Sequence, residues 1–287
     1  MAWPALSELV KAIDISIYQN KSSATGLPTP EGRIDFWHLA DTRPEIKVVF
    51  IRLAGNVGNF DVNFQSNYDE SLAAGFENAV YGFAAPSRKV TTLIDVWKLG
   101  LDGRVPKLIV IDAEVSDGRD KALVTRHVRD LLAAVHTVWP GVEVWIYTGE
   151  WWWTPNIIGG WEGNEKFWMA HYAHFVPMPD GTWRVVYTFE ELDGKLPIGN
   201  SFTPWLPKTV RIEQVEAWQI TSSGRIQFNS KLGLYTPRCD LDYVKLSAYR
   251  RIWGGDQPPG PQPQPAPIEV TLRVPRDKVH AVIEEVG

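Results

Sequence analysis

Cysteine is almost absent. The single one, Cys239, cannot form a disulfide within the chain, so the fold has to rest on its apolar core. Long hydrophobic runs are missing too: no stretch approaches the roughly 20 apolar residues of a spanning helix, and membrane insertion is not expected. Residues 1–11 lack a basic start, a long apolar stretch and a small-residue cleavage site. The expectation is synthesis in the cytoplasm without a Sec signal peptide, with another route out if the target lies outside. Positive charge is not in excess either. With 29 Lys and Arg against 34 Asp and Glu the formal net charge is −5, which leaves no electrostatic footprint for nucleic acid and no basic helix for a membrane surface. The histidines show no zinc spacing; His171 and His174, on a strand-to-loop segment, fit surface or core roles.

What is present is a chain of 287 residues with 14 tryptophans, long enough for one domain of α/β-barrel size or two smaller ones. So many flat apolar side chains suggest surfaces that stack on sugar rings, although each is also good core material. In the run Trp151-Trp152-Trp153 the three cannot all face one way, so one is expected in the core and one exposed over a cleft.

Buried strands are expected at residues 12–18, 48–54, 78–85, 108–114, 142–147 and 167–172, with helices starting at 34 and spanning 64–76, 90–99 and 124–138. The clearest helix carries Val124, Val128, Leu131, Leu132, Val135 and Val138 on one stripe and ends at Pro140-Gly141. Strand and helix in alternation imply a parallel sheet, and this many repeats imply an irregular α/β barrel of the (β/α) TIM type over residues 1–253. Residues 20–32 read as a surface loop, and residues 173–208 as long loops or a small hairpin over the sheet. The last strands are expected within 210–221 and 239–244. Residues 254–267, rich in proline, read as an extended linker, and 268–287 as a short segment for pairing with a partner or a second copy.

The fourth expected strand, Leu108-Ile109-Val110-Ile111, runs into Asp112-Ala113-Glu114. Residues i and i+2 of a strand share a face, with Cα atoms roughly 6 to 7 Å apart. Two carboxyls facing one cleft raise each other's pKa, so that one stays protonated as a donor while the other ionises, the chemistry of glycosidic bond cleavage. A helix cap plus a structural ion pair is the alternative. Catalytic groups of a parallel barrel gather at the C-terminal strand ends, where Asp14 and either Asp240 or Asp242 would join this pair. Oxygen ligation of a divalent metal is a further use of such a cluster, but no histidine accompanies it, and neither metal nor cofactor is called for.

These residues resemble glycoside hydrolase family 25, the Chalaropsis-type lysozymes often found as phage endolysins. Ile13-Asp14-Ile15-Ser16 with Gln19 is similar to the family's opening Asp-x-Ser motif, and Ile34-Asp35-Phe36-Trp37 to its first helix. Asp61, Phe64 and Asn67 fit the stretch after the second strand. Asp112-Ala113-Glu114 resembles the catalytic Asp-x-Glu, Ile146-Tyr147-Thr148-Gly149 the next strand, and Trp168-Met169-Ala170-His171-Tyr172 the Trp-x-Ala-x-Tyr element. Trp218-Gln219 resembles the late Trp-Gln motif, and Asp240-Leu241-Asp242 the terminal Asp-Leu-Asn. The departures are Leu53-Ala54-Gly55-Asn56, where the family carries an acidic residue, and Gly82, which replaces a histidine.

The resemblance implies cleavage of the β-1,4 bond between N-acetylmuramic acid and N-acetylglucosamine of bacterial peptidoglycan. Glu114 carries over as general acid and then base, Asp112 as its partner, and Asp14 and Asp240 as further acidic groups. Tyr81, Tyr147, Tyr172, Trp168, Trp218 and Gln219 are the candidate sugar contacts, or else pack the barrel mouth. An enzymic nucleophile needs carboxyls about 5 to 5.5 Å apart. The i, i+2 pair is wider, which fits the substrate's own N-acetyl group as nucleophile. A catalytically silent glycan-binding barrel or virion component, and a chitinase-like hydrolase, are the other readings.

Overall fold

Apolar runs bounded by turn residues form the strands, and the stretches with helical periodicity between them form the helices. The computed structural model describes residues 3–20, 34–55, 59–172, 174–193, 203–226, 228 and 238–254. Most of the 20–32 loop, Asn56, the linker after Gly254 and the 268–287 segment lie outside the described residues.

In chain order the elements are β1 (Leu9–Ile15), α1 (Phe36–Thr42), β2 (Ile46–Ala54), α2 (Phe64–Ala73), β3 (Glu77–Phe83), α3 (Val90–Leu101), β4 (Leu108–Asp112), α4 (Lys121–Val138) and β5 (Glu143–Gly149). Then follow α5 (Glu150–Asn156), β6 (Lys166–Ala170), β7 (His174–Pro177), β8 (Trp183–Val185), α6 (Glu190–Asp193), β9 (Val215–Arg225), β10 (Arg238–Lys245) and α7 (Leu246–Trp253). Eight strands close into a barrel in the order β1-β10-β9-β6-β5-β4-β3-β2, and β7 and β8 form a separate two-stranded sheet. The fold is an irregular (β/α) barrel, as the alternating pattern implies.

The sheet is not uniformly parallel. β10 runs antiparallel to both its neighbours, β1 and β9, whereas the other adjacent pairs are parallel. Arg225 pairs with Arg238, so β9 and β10 meet as a hairpin, and strands paired in this way are antiparallel. Two boundaries also shift. The first strand ends at Ile15 because Asp61 takes the Ile17 N–H (2.7 Å) and Gln19 the Ser16 N–H (2.7 Å), turning the chain off the sheet into a 3-10 turn. The strand expected from residue 210 starts at Val215, after a 3-10 turn at Ile212–Gln214.

Side chains alternate across the barrel wall. Those pointing out, among them Ile13, Ile15, Ile109, Ile111 and Ile146, pack against the helices, and Trp97 and Leu131 meet them there. Those pointing in fill the barrel in layers. At the bottom α7 plugs the end with Ala248, Tyr249 and Trp253, whose Nε1 donates to the Asn78 carbonyl (3.2 Å). Above lie Phe50, Trp145 and Trp168, with Phe50 stacked on Trp168 at 4.3 Å. Truncating a buried aromatic of this kind costs about 3–5 kcal/mol. The tryptophan excess is therefore mainly core material: Trp97, Trp145, Trp153, Trp168 and Trp218 are fully buried, and among the described residues only Trp151 (57%) and Trp205 (67%) are strongly exposed.

Gly82 has a steric reason. A Cβ there would sit 2.5 Å from the indole of Trp97, so the residue faces the helix layer and lets α3 approach β3. The departure from the family histidine thus falls outside the cleft.

Candidate active site

The interior layers end at the C-terminal mouth of the barrel in a cleft of about 250 Å³. Asp14, Asp112, Glu114 and Asp240 all line it, together with Tyr81, Tyr147, Trp168 and Gln219. The catalytic set read from the sequence therefore converges.

Each carboxyl is positioned by its strand. β4 brings Asp112 to the rim, and the backbone continues in register beyond the strand: Ala113 N–H donates to the Tyr147 carbonyl (2.9 Å), and Thr148 Oγ1 to the Ala113 carbonyl (2.9 Å). Glu114 thus follows Asp112 into the cleft from a pinned segment. Asp14 lies near the end of β1. Asp240 lies near the start of β10, and only because that strand runs antiparallel does its beginning meet the end of β1, with Asp14 paired to Asp240.

Both late aspartates point inward, at different depths. Asp240 is at the mouth. Asp242 is fully buried one layer down, where its Oδ1 accepts from Trp168 Nε1 (2.8 Å) and its Oδ2 has no hydrogen-bond partner among the described residues.

Gln219 joins the polar groups. Its Nε2 donates to Asp14 (2.7 Å) and Asp240 (2.9 Å), and its Oε1 accepts from the hydroxyls of Tyr147 (2.8 Å) and Tyr172 (2.8 Å). Tyr81 donates to the other oxygen of Asp14 (3.2 Å). These tyrosines and Gln219 are tied to the carboxyl network rather than standing clear of it. Tyr172 is half-buried above the inner cluster and lies off the cleft lining proper.

Trp218 is not brought to the cleft. It is fully buried on the helix side of the wall, donates to the His171 carbonyl (3.0 Å) and meets Trp3 edge-on, so the sugar contact expected of it is corrected to a supporting role. Strand alternation explains this, because Trp218 and Gln219 are adjacent and must face opposite sides. Of the triple tryptophan run, Trp152 and Trp153 are buried and Trp151 is exposed beside the mouth, outside the residues that line the cleft.

The charged residue of the cleft lining that escapes the sequence reading is Arg52. It pairs with buried Asp61 at 3.0 Å and lies over the Tyr18 ring at 5.1 Å. Its signal was a lone arginine inside the apolar second strand, where an unpaired charge would be costly.

Burial and mutual repulsion set the proton inventory. Burial pushes Glu114 up to about 7, with the Asp14 charge adding to it. Asp14 rises to about 6 through burial, opposed by hydrogen bonds from Gln219, Asp240 and Tyr81 and by the charge of Arg52. Asp112 is held well above the usual carboxylate range by burial, then by Glu114 and Asp14. Asp240 is raised well above the usual carboxylate range by burial and by the charges of Asp14 and Asp242. Near neutral pH the cleft thus holds proton donors beside a carboxylate that ionises first, Asp14. Among the described residues no group of His, Cys, Asp and Glu is arranged to hold a metal ion, and no helix is long and apolar enough to cross a membrane.

A (β/α) barrel whose mouth gathers carboxyls with raised pKa values over an aromatic floor is an arrangement suited to cleaving a glycosidic bond. The chain belongs to the glycosyl hydrolases family 25, whose family model matches residues 13–190, and it is a glycoside hydrolase. Solved structures agree on the fold. The family 25 glycosyl hydrolase from Bacillus anthracis superposes with a TM-score of 0.57 at 15% identity, covering 85% of this chain and 92% of that one. The CTP1L endolysin gives 0.58 at 16% identity, over 86% and 71%. The bacterial lysozyme from Streptomyces coelicolor gives 0.54 at 19% identity, over 84% and 94%. No curated protein matches the sequence.

Proposed function

We propose that the protein is an N-acetylmuramidase that cleaves the β-1,4 bond between N-acetylmuramic acid and N-acetylglucosamine in bacterial peptidoglycan. The observation that carries this reading is the pair at the end of β4: Glu114, half-buried in the cleft just beyond the strand and with its pKa pushed up to about 7, beside Asp112, whose buried Oδ1 has no hydrogen-bond partner among the described residues. A buried acceptor without a donor is costly, and a substrate N–H would relieve it.

In this mechanism Glu114 gives its proton to the glycosidic oxygen as the bond from C1 breaks. The carbonyl oxygen of the substrate's acetamido group bonds to C1, forming an oxazolinium ion, while Asp112 accepts a hydrogen bond from the acetamido N–H and so stabilises the positive charge that develops there. Glu114, now a carboxylate, takes a proton from water as the water oxygen attacks C1 and the oxazolinium ring opens. The acid form of Glu114 is thereby restored. Asp14, Asp240 and Gln219 hold the cleft's remaining charge in place.

The test is product analysis on purified cell walls with wild-type protein and Glu114→Gln. New reducing ends on muramic acid from the wild type alone are expected. Reducing ends on N-acetylglucosamine would sink the muramidase reading in favour of a chitinase-like cut, and equal release by both proteins would remove Glu114 from its role.

A further inference from the structure

A series of aromatic rings leads from the core to the protein surface near the C-terminal end of β6. Buried Trp3 meets Trp218 at 5.9 Å, edge to face; Trp218 lies nearly parallel to His171 at 5.9 Å and 7°; His171 stacks on Trp205 at 4.6 Å and 21°. The Trp205 backbone N–H also donates to His171 Nδ1 (3.3 Å). The series ends in an indole that is 67% exposed. One face of that ring rests on the imidazole, so its exposure belongs to the other face and its edges.

Its position connects it to the cleft. His171 follows directly on β6, its N–H donates to the Gln219 carbonyl (3.0 Å), and its neighbour Tyr172 reaches the Gln219 side chain. Trp205 is thus tied through His171 to the C-terminal end of β6, outside the residues that line the cleft and beyond residues 13–190 that match the family model. Leaving a tryptophan in water forfeits the burial that most of its described counterparts obtain, and anchoring it through three rings removes the rotamer freedom a ligand would otherwise have to freeze.

We propose that Trp205 is a stacking platform for a pyranose ring of the glycan strand that lies outside the two sugars flanking the cleaved bond. This rests on the muramidase reading above. The apolar face of a hexopyranose matches a fixed indole, and a platform outside the cleft lining rewards long strands over short ones. Trp218 serves it from beneath, as part of its support.

The test compares binding of soluble peptidoglycan glycan fragments to full-length Glu114→Gln and Glu114→Gln/Trp205→Ala by calorimetry. The fragments are the shortest that span the cleaved bond and others several disaccharides longer. Tighter binding of the long fragments to Glu114→Gln is expected, with this advantage reduced roughly three- to tenfold by Trp205→Ala. Trp205→Phe should keep most of the advantage, and Trp205→Leu, which retains bulk without a flat ring, should lose it as alanine does. A length advantage that is unchanged in the alanine and leucine variants overturns the platform. Failure of the muramidase reading has a different signature: wild-type protein then releases no muramic acid reducing ends, whatever the fragments do.

Discussion

Asp14 on β1 stands directly opposite Asp240 on β10 in the antiparallel ladder, and the side-chain amide of Gln219 donates to both. Directly opposed like charges destabilise a sheet pair. Burial and their mutual repulsion raise both carboxyls, so the pair resists carrying two negative charges at once.

Gln219→Ala removes the largest influence holding Asp14 down, so the Asp14 pKa moves above its present value of about 6. The acidic limb of the kcat/KM profile should shift to higher pH, and the rate at neutral pH should fall about ten- to a hundredfold, the worth of one or two hydrogen bonds to a charged group. A profile superimposable on that of the wild type would show that Gln219 does not tune the site.

Glu114 must carry its proton to act as the acid, and its pKa is near 7. Glu114 therefore sets the alkaline limb: activity should decline above that pH, approaching about tenfold per pH unit. Glu114→Gln should lose about 10²- to 10⁴-fold in initial rate on soluble glycan and show no such limb. Persistence of the alkaline limb in the variant would assign it to another group.

Asp242 bears on stability rather than turnover. Burial raises its pKa well above normal, so the folded chain keeps a proton that the unfolded chain releases near pH 4. Stability contributed by the neutral form is thus complete below pH 4 or so and is lost as pH rises toward the folded-state pKa. Asn, which the resembling family motif carries at this place, accepts the Trp168 N–H without a charge. In Asp242→Asn the thermal midpoint relative to wild type should rise steadily from pH 4 to 7; a constant difference across that range would refute the linkage.

Gly82→Ala puts a methyl group 2.5 Å from the Trp97 ring. Overpacking of this kind costs about 1–3 kcal/mol, which for a chain of this size lowers the midpoint by about 2–4 °C per kcal/mol. The kcat per folded molecule should stay near wild type, because the added group faces α3 and not the cleft. Calorimetry and kinetics on the same preparation check both halves.

The sequence by itself determined the strands and helices, because apolar runs and helical stripes such as Val124 to Val138 depend only on neighbours along the chain. It also singled out Asp112 and Glu114 as candidates that an extended chain would put on one face, although the strand itself ends at Asp112 and Glu114 follows from the segment beyond it. Strand direction was not legible: nothing local in residues 238–245 distinguishes a parallel from an antiparallel strand, yet the antiparallel run of β10 is what sets Asp240 against Asp14. Nor was the facing of Trp218, which depends on where the β9 register falls against β6 and β10. The proton inventory belongs wholly to the tertiary structure, because a carboxyl's pKa follows its burial and its neighbours across the barrel, and those come from strands as far apart in the chain as Asp14 and Gln219.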